Sequence, residues 1–221
     1  MSLESFSQLG GRIRSSLRWR LAKPLTFPLR RKLKIQLRQI NERQISLVSN
    51  NCVAGILYDI AGLQKRSPTA GIYFAGPAYA RFLNDLGGGH LERWAKIEPT
   101  RLVFKEEQSC WTLPVDGGGE LVFLHYASRE DAIAKWERRI VRMRGRTLFV
   151  ISSIQNGIAL HSVKAALKHF PYSMTVDGDP APAADELVMD ARFLRDLSKY
   201  LDGVLLDRNC LPHSPMMYRY D

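Results

Sequence analysis

The chain has 221 residues, 45% hydrophobic and 24% charged, enough for one well-buried core with the balance of an ordinary globular protein. No run approaches the roughly 18 consecutive apolar residues of a spanning helix. Arg12, Arg14, Arg18 and Arg20 also break up any secretory apolar segment, so the chain is expected to stay on the cytoplasmic side. Cys52, Cys110 and Cys210 lack paired spacing and the five histidines are scattered, which argues against a disulfide framework and a bound metal.

Residues 1–43 carry eleven Lys/Arg against Glu4 and Glu42, a net +9 of the chain's +10. Within this arm Leu9, Ile13, Leu17 and Leu21 recur at i+4. After Pro24 and Pro28 a second stripe runs through Leu29, Leu33, Leu37 and Ile40. Both predict short amphipathic helices with a cationic face. Such helices can lie on an anionic membrane surface, with Trp19 and Phe27 at headgroup level. Equally, they can pack their leucines on the domain or on a partner. Phosphates of nucleic acid attract the same charges, but no recognisable reading motif gives them a target, so no specific nucleic acid is expected.

From residue 44 the pattern becomes that of an α/β domain extending to 221. Ile45–Ser49 predicts a strand, Cys52–Leu63 a helix closed near Gly62, Gly71–Phe74 a short strand, and Pro77–Leu86 a helix ended by three glycines. Arg101–Phe104 and Glu120–Tyr126 read as strands. Ser128 reads as an N-cap with Asp131 at the capping-box position, opening a helix whose stripe is Ala132, Trp136, Ile140 and Met143. Thr147–Ser152 is continuously apolar at its start, as in a strand buried on both faces. A helix over Ala159–Leu167, a weak strand over Ser173–Val176, a loop over Asp177–Asp185 and a helix over Arg192–Leu201 follow; the tail from Leu211 is expected to be irregular. The architecture implied is a single domain with a central mixed, largely parallel sheet flanked by helices, plus the basic arm.

Asn50, Asn51 and Cys52 fall where a strand's carboxyl end meets a helix N-terminus, the usual ligand edge of an open α/β sheet. That end favours an anion and a cysteine thiolate. A nucleophilic Cys52 needs a base, and His125 at the end of another strand is the natural candidate. The alternative is a turn residue, a helix cap and an inert core cysteine. Ser67 and Thr69, in a proline-fixed loop, offer hydroxyls to a sugar or phosphate, or simply form a tight turn. Tyr126 can stack on a sugar or serve the core, and Arg139 can take a phosphate bidentately or join a solvated helix face. No dinucleotide or P-loop fingerprint is present. Asp177-Gly178-Asp179 fits the Asp-X-Asp pattern of metal-dependent glycosyltransferases only formally.

Three segments in order, Ser49-Asn50-Asn51-Cys52, Ser67-Pro68-Thr69-Ala70-Gly71, and Phe123-Leu124-His125-Tyr126 leading to Lys135-Trp136-Glu137-Arg138-Arg139, resemble the bacterial family known as domain of unknown function 1919, often labelled exopolysaccharide biosynthesis protein. The likeness is good over residues 44–152 and looser beyond, with the arm outside it. It departs where the family continues from the cysteine with Trp-Gly-Gly and this chain has Val53-Ala54-Gly55. What the resemblance implies is a link to capsule or exopolysaccharide loci, where some members carry acetyltransferase labels. With the candidate residues above, the leading expectation is a transferase moving acetyl from acetyl-CoA to a sugar, with His125 deprotonating the hydroxyl while Asn50, Asn51 and Ser67 orient it. The rivals are a non-catalytic, membrane-peripheral accessory or glycan-binding protein, and a glycosyltransferase-like enzyme.

Overall fold

A computed structural model describes residues 27–105, 108–177, 191–206 and 216–218. The stripe Leu9–Leu21, Cys210, and all of the 177–185 loop but Asp177 lie outside the described residues.

Helix α1 spans residues 27–42. Its Leu33, Leu37 and Ile40 are fully buried in one core with Val53, Leu57 and Ala61 of α2 (Val53–Ala61) and Phe193, Leu197 and Leu201 of α6 (Ala191–Leu206). Burying each such side chain is worth about 1.5–3 kcal/mol. Gln36 joins the buried side and is fully engaged: Nε2 donates to Ser198 O (2.9 Å) and Asp202 Oδ1 (2.7 Å), and Oε1 accepts from the Ser198 hydroxyl (2.9 Å). For residues 27–42, then, the packing alternative applies, and this segment shares the core of the domain expected to begin at 44. Among the described residues no helix is long and apolar enough to cross a membrane.

The chain is α/β, as expected, but its parallel and antiparallel strands are sorted into two sheets. The first is wholly parallel, in the order β1 (Ile45–Ser49), β6 (Thr147–Ile154), β7 (Tyr172–Asp177), β8 (Met216–Tyr218). The α1–α2–α6 layer covers one face through Leu47, Phe149, Ile151, Met174 and Val176. The other face meets Val48 and Val150 with α3 (Ala78–Gly87), α4 (Arg129–Met143) and α5 (Leu160–Leu167).

Between α2 and α4 the chain builds the second sheet, antiparallel, in the order β2 (Tyr73–Ala75), β5 (Glu120–Phe123), β4 (Gln108–Pro114), β3 (Arg101–Lys105). Its inner face, Phe74, Leu121 and Phe123, packs with Tyr79, Phe82, Trp94 and Trp136. Edge-to-face contacts run through that group, with Phe82 and Trp94 centroids 5.0 Å apart.

Local signals hold where they are strong. Ser128 Oγ accepts from Asp131 N (3.1 Å) and caps α4, and Gly62 closes α2 with φ of 62°. Two strands differ from expectation. Residues 108–114 carry no predicted element, yet form β4. The tail expected to be irregular contributes β8, three residues that pair only because β7 has an open parallel edge. β4 is held by short hairpins to the strands before and after it, whereas β8 is held by long-range pairing rather than by local propensity.

Candidate functional site at the carboxyl end of β1

All eight residues singled out above gather where β1 passes into α2, under the loop that returns over residues 64–72. They form two groups. The first is buried and closed. Asn50 Nδ2 donates to Ser153 O and Asn50 Oδ1 accepts from Ser153 N, both at 2.7 Å, so this amide extends the β1–β6 ladder by side chain where the backbone turns away. Asn51 Oδ1 accepts from Val53 N (3.1 Å) in the first turn of α2, and its Nδ2 donates to Ser153 Oγ (2.9 Å). Ser49 Oγ takes Ala54 N (2.9 Å) and donates to Asn51 O (2.6 Å). Two donors at the α2 N-terminus are thus met by the chain's own side chains. Thr69 Oγ1 accepts from Ser49 N (3.2 Å) and pairs with Ser67 Oγ (2.9 Å), tying the loop to β1.

The second group opens outward. Cys52 is half-buried and His125 exposed, and Cys52 Sγ lies 3.4 Å from His125 Nε2. That is within hydrogen-bond reach for a thiol, so the imidazole can receive its proton. Gly71 turns the loop toward His125 and Tyr126 with a φ of 86°, a left-handed conformation that favours glycine. Tyr126 donates to Ala70 O (2.9 Å), and Arg139 Nη1 donates both to that carbonyl (2.6 Å) and to the Tyr126 hydroxyl (2.9 Å). Lys135 Nζ and the Arg139 guanidinium lie 5.3 and 5.9 Å from the Tyr126 ring centroid. Burial pushes the Tyr126 phenol up from its ordinary value, and the charge of Arg139 opposes it.

Sequence reasoning missed Ser49 and Ser153. The signal was present: Ser152-Ser153 interrupts the apolar run of β6 at the carboxyl end, where a neighbouring strand ends in two asparagines. Val53 and Ala54, at the departure from the Trp-Gly-Gly pattern, are core residues. Among the described residues no group of three or more His, Cys, Asp or Glu could hold a metal ion. A cavity of about 380 Å³ lies at Gln39, Glu42, Arg43 and Leu205, and one of about 210 Å³ between α3 and β4; neither is lined by Cys52 or His125.

Fold and site together define an α/β protein with a thiol–imidazole pair at the carboxyl edge of a parallel sheet. The chain belongs to the DUF1919 family, a domain of unknown function, whose pattern matches residues 26–176. The match takes in α1, beyond the stretch first recognised. An uncharacterized protein of Haemophilus influenzae is 22% identical over 121 residues, 55% of this chain and 55% of that protein. The chain therefore aligns with little more than half of that relative's length.

Proposed function

We propose that this protein is an acyltransferase of surface-polysaccharide assembly, moving an acetyl group to a sugar or its carrier through Cys52 and His125. The observation that carries the reading is the 3.4 Å approach of Cys52 Sγ to an exposed imidazole. In the first half-reaction His125 takes the thiol proton as sulfur attacks the acetyl-CoA carbonyl. A thioester forms on Cys52, and CoA leaves with the proton. In the second, His125 takes the proton of the acceptor hydroxyl as its oxygen attacks that thioester, and the proton returns to the Cys52 sulfur. The closed group, Asn50, Asn51, Ser67 and Thr69, fixes the turn that presents the thiol. The basic residues that precede α1, Arg12 to Lys23, would hold the protein at the inner face of the membrane, near lipid-linked sugars.

The test is intact-mass and peptide spectrometry after mixing with acetyl-CoA. An acetyl adduct on Cys52, absent in Cys52→Ser and formed about a hundredfold more slowly in His125→Ala, is expected. No adduct and no CoA release from the wild type would sink the transferase reading.

A second reading, a non-catalytic accessory or glycan-binding protein, is favoured by one observation. The asparagine, serine and threonine groups that would orient a substrate are bonded within the chain. Glycan binding without an adduct would select it.

A further inference from the structure

We propose that Arg139, with Arg138 and Arg142 beside it on α4, forms a binding site for a phosphate ester or diphosphate. The proposal does not depend on the Cys52 chemistry. Arg139 is 8% exposed, and the acceptors of its Nη1, Ala70 O and Tyr126 Oη, are both neutral. Among the described residues its Nε and Nη2 have no protein acceptor. Asp131, the acid whose charge it feels, is bound by Lys135 at 2.6 Å. Arg139 Nε and Nη2 are not among the buried unpartnered atoms of the described residues, so they reach solvent, and this edge of the planar fork is the geometry that takes two phosphate oxygens at once.

The surroundings add like charge instead of relieving it. Arg142 lies three residues after Arg139 and four after Arg138, so it neighbours both on the helix surface. Burial lowers the Arg142 guanidinium from its ordinary value, and the charges of Arg138, Arg139 and Arg66 lower it further. Among the described residues none of Arg138, Arg139 and Arg142 forms an ion pair. Like charges neighbouring one another on a helix surface repel, and the carboxylate that acts on Arg139, that of Asp131, is already shared with Lys135. A dianionic phosphate or a diphosphate removes that repulsion and supplies the missing acceptors. Tyr126, adjacent to His125 in the chain, connects this site to the thiol–imidazole pair, so a phosphorylated donor or carrier held here would reach toward it.

The experiment is titration calorimetry of the full chain with inorganic pyrophosphate, paired with thermal unfolding. The wild type should bind saturably and unfold at higher temperature with pyrophosphate present. Arg138→Gln/Arg142→Gln, at accessible positions, should keep the unliganded unfolding temperature and bind about tenfold or more weakly. Arg139→Lys keeps the charge but loses the fork, and should also weaken binding. No saturable binding by the wild type, or unchanged affinity in the double variant, would overturn the site. The source of the phosphate is then read with phosphatidylcholine vesicles containing phosphatidylglycerol. Vesicle-bound protein released by pyrophosphate identifies a lipid headgroup; pyrophosphate binding without such release identifies a soluble ester.

Discussion

The two sides of the β1–α2 junction use similar polar residues to opposite ends. On the inner side Ser49, Asn50, Asn51, Ser67 and Thr69 are buried, and their side chains are bonded to backbone, to one another or to the Ser153 hydroxyl. On the outer side Cys52 and His125 reach solvent, and Arg139 keeps donors unmatched by the chain. Asparagine, serine and threonine at the carboxyl edge of a parallel sheet look like ligand groups in a sequence. Here they are the frame that allows a neighbouring thiol and imidazole to be exposed. The difference lies in engagement, not in residue type.

The sharpest way to break this contrast is Asn50→Leu. It removes two 2.7 Å hydrogen bonds and leaves Ser153 N–H and C=O without the partner that replaced the ladder. Each stranded buried group costs about 1–3 kcal/mol, so a loss of about 3–5 kcal/mol is expected in urea unfolding at constant slope. His125→Ala, at an exposed position, should stay within about 0.5 kcal/mol. A loss below about 1 kcal/mol for Asn50→Leu would place Asn50 with the open group instead.

Asn51→Ala comes next. It removes the acceptor of Val53 N and the donor to Ser153 Oγ. A helix-start cap of this kind is worth about 1–2 kcal/mol, and Asn51→Asp, which keeps the acceptor, should recover part of it. The readout is again the urea midpoint. Stability unchanged in Asn51→Ala, with Cys52 reactivity altered, would make Asn51 part of the reacting surface.

Much of this arrangement was legible, and the illegible part has a physical reason. The strand-to-helix junction at Asn50–Cys52, the Ser128 cap and the apolar stripes of α1 and α4 are local patterns, and they stand where the sequence puts them. What an apolar stripe packs against is not local. Leu33, Leu37 and Ile40 read the same for a membrane surface as for a core, and only Gln36, a polar residue on the buried side, hinted at a partner such as Ser198. Sheet membership is also long-range. Asn50 and Ser153 are 103 residues apart, and nothing in either segment says that they share a ladder. The thiol–imidazole pair was readable as two strand ends, but its 3.4 Å separation depends on how the second sheet packs.

The smallest expected effect concerns the phenols, and it compares the core with the site directly. Burial pushes Tyr200 up to about 12, and raises Tyr58 and Tyr79 as well. Tyr126 is also raised by burial, but Arg139 pulls it back. A phenol is neutral when protonated, so a raised folded value means that the native state keeps a proton the unfolded chain has already lost. The stability linked to it is complete below about 10, the ordinary tyrosine value, and falls as pH rises through the folded one. Urea midpoints across that interval should therefore decline. Tyr200→Phe should flatten the decline more than Tyr126→Phe, since the arginine already favours the Tyr126 phenolate. Tyr200→Phe will also lower the starting stability slightly, because its hydroxyl accepts from Ser173 N at 3.1 Å; the slope, not the intercept, carries the comparison. If Tyr126→Phe flattens the decline as much, Tyr126 belongs to the closed frame, and the open side of the junction shrinks to Cys52, His125 and the arginines of α4.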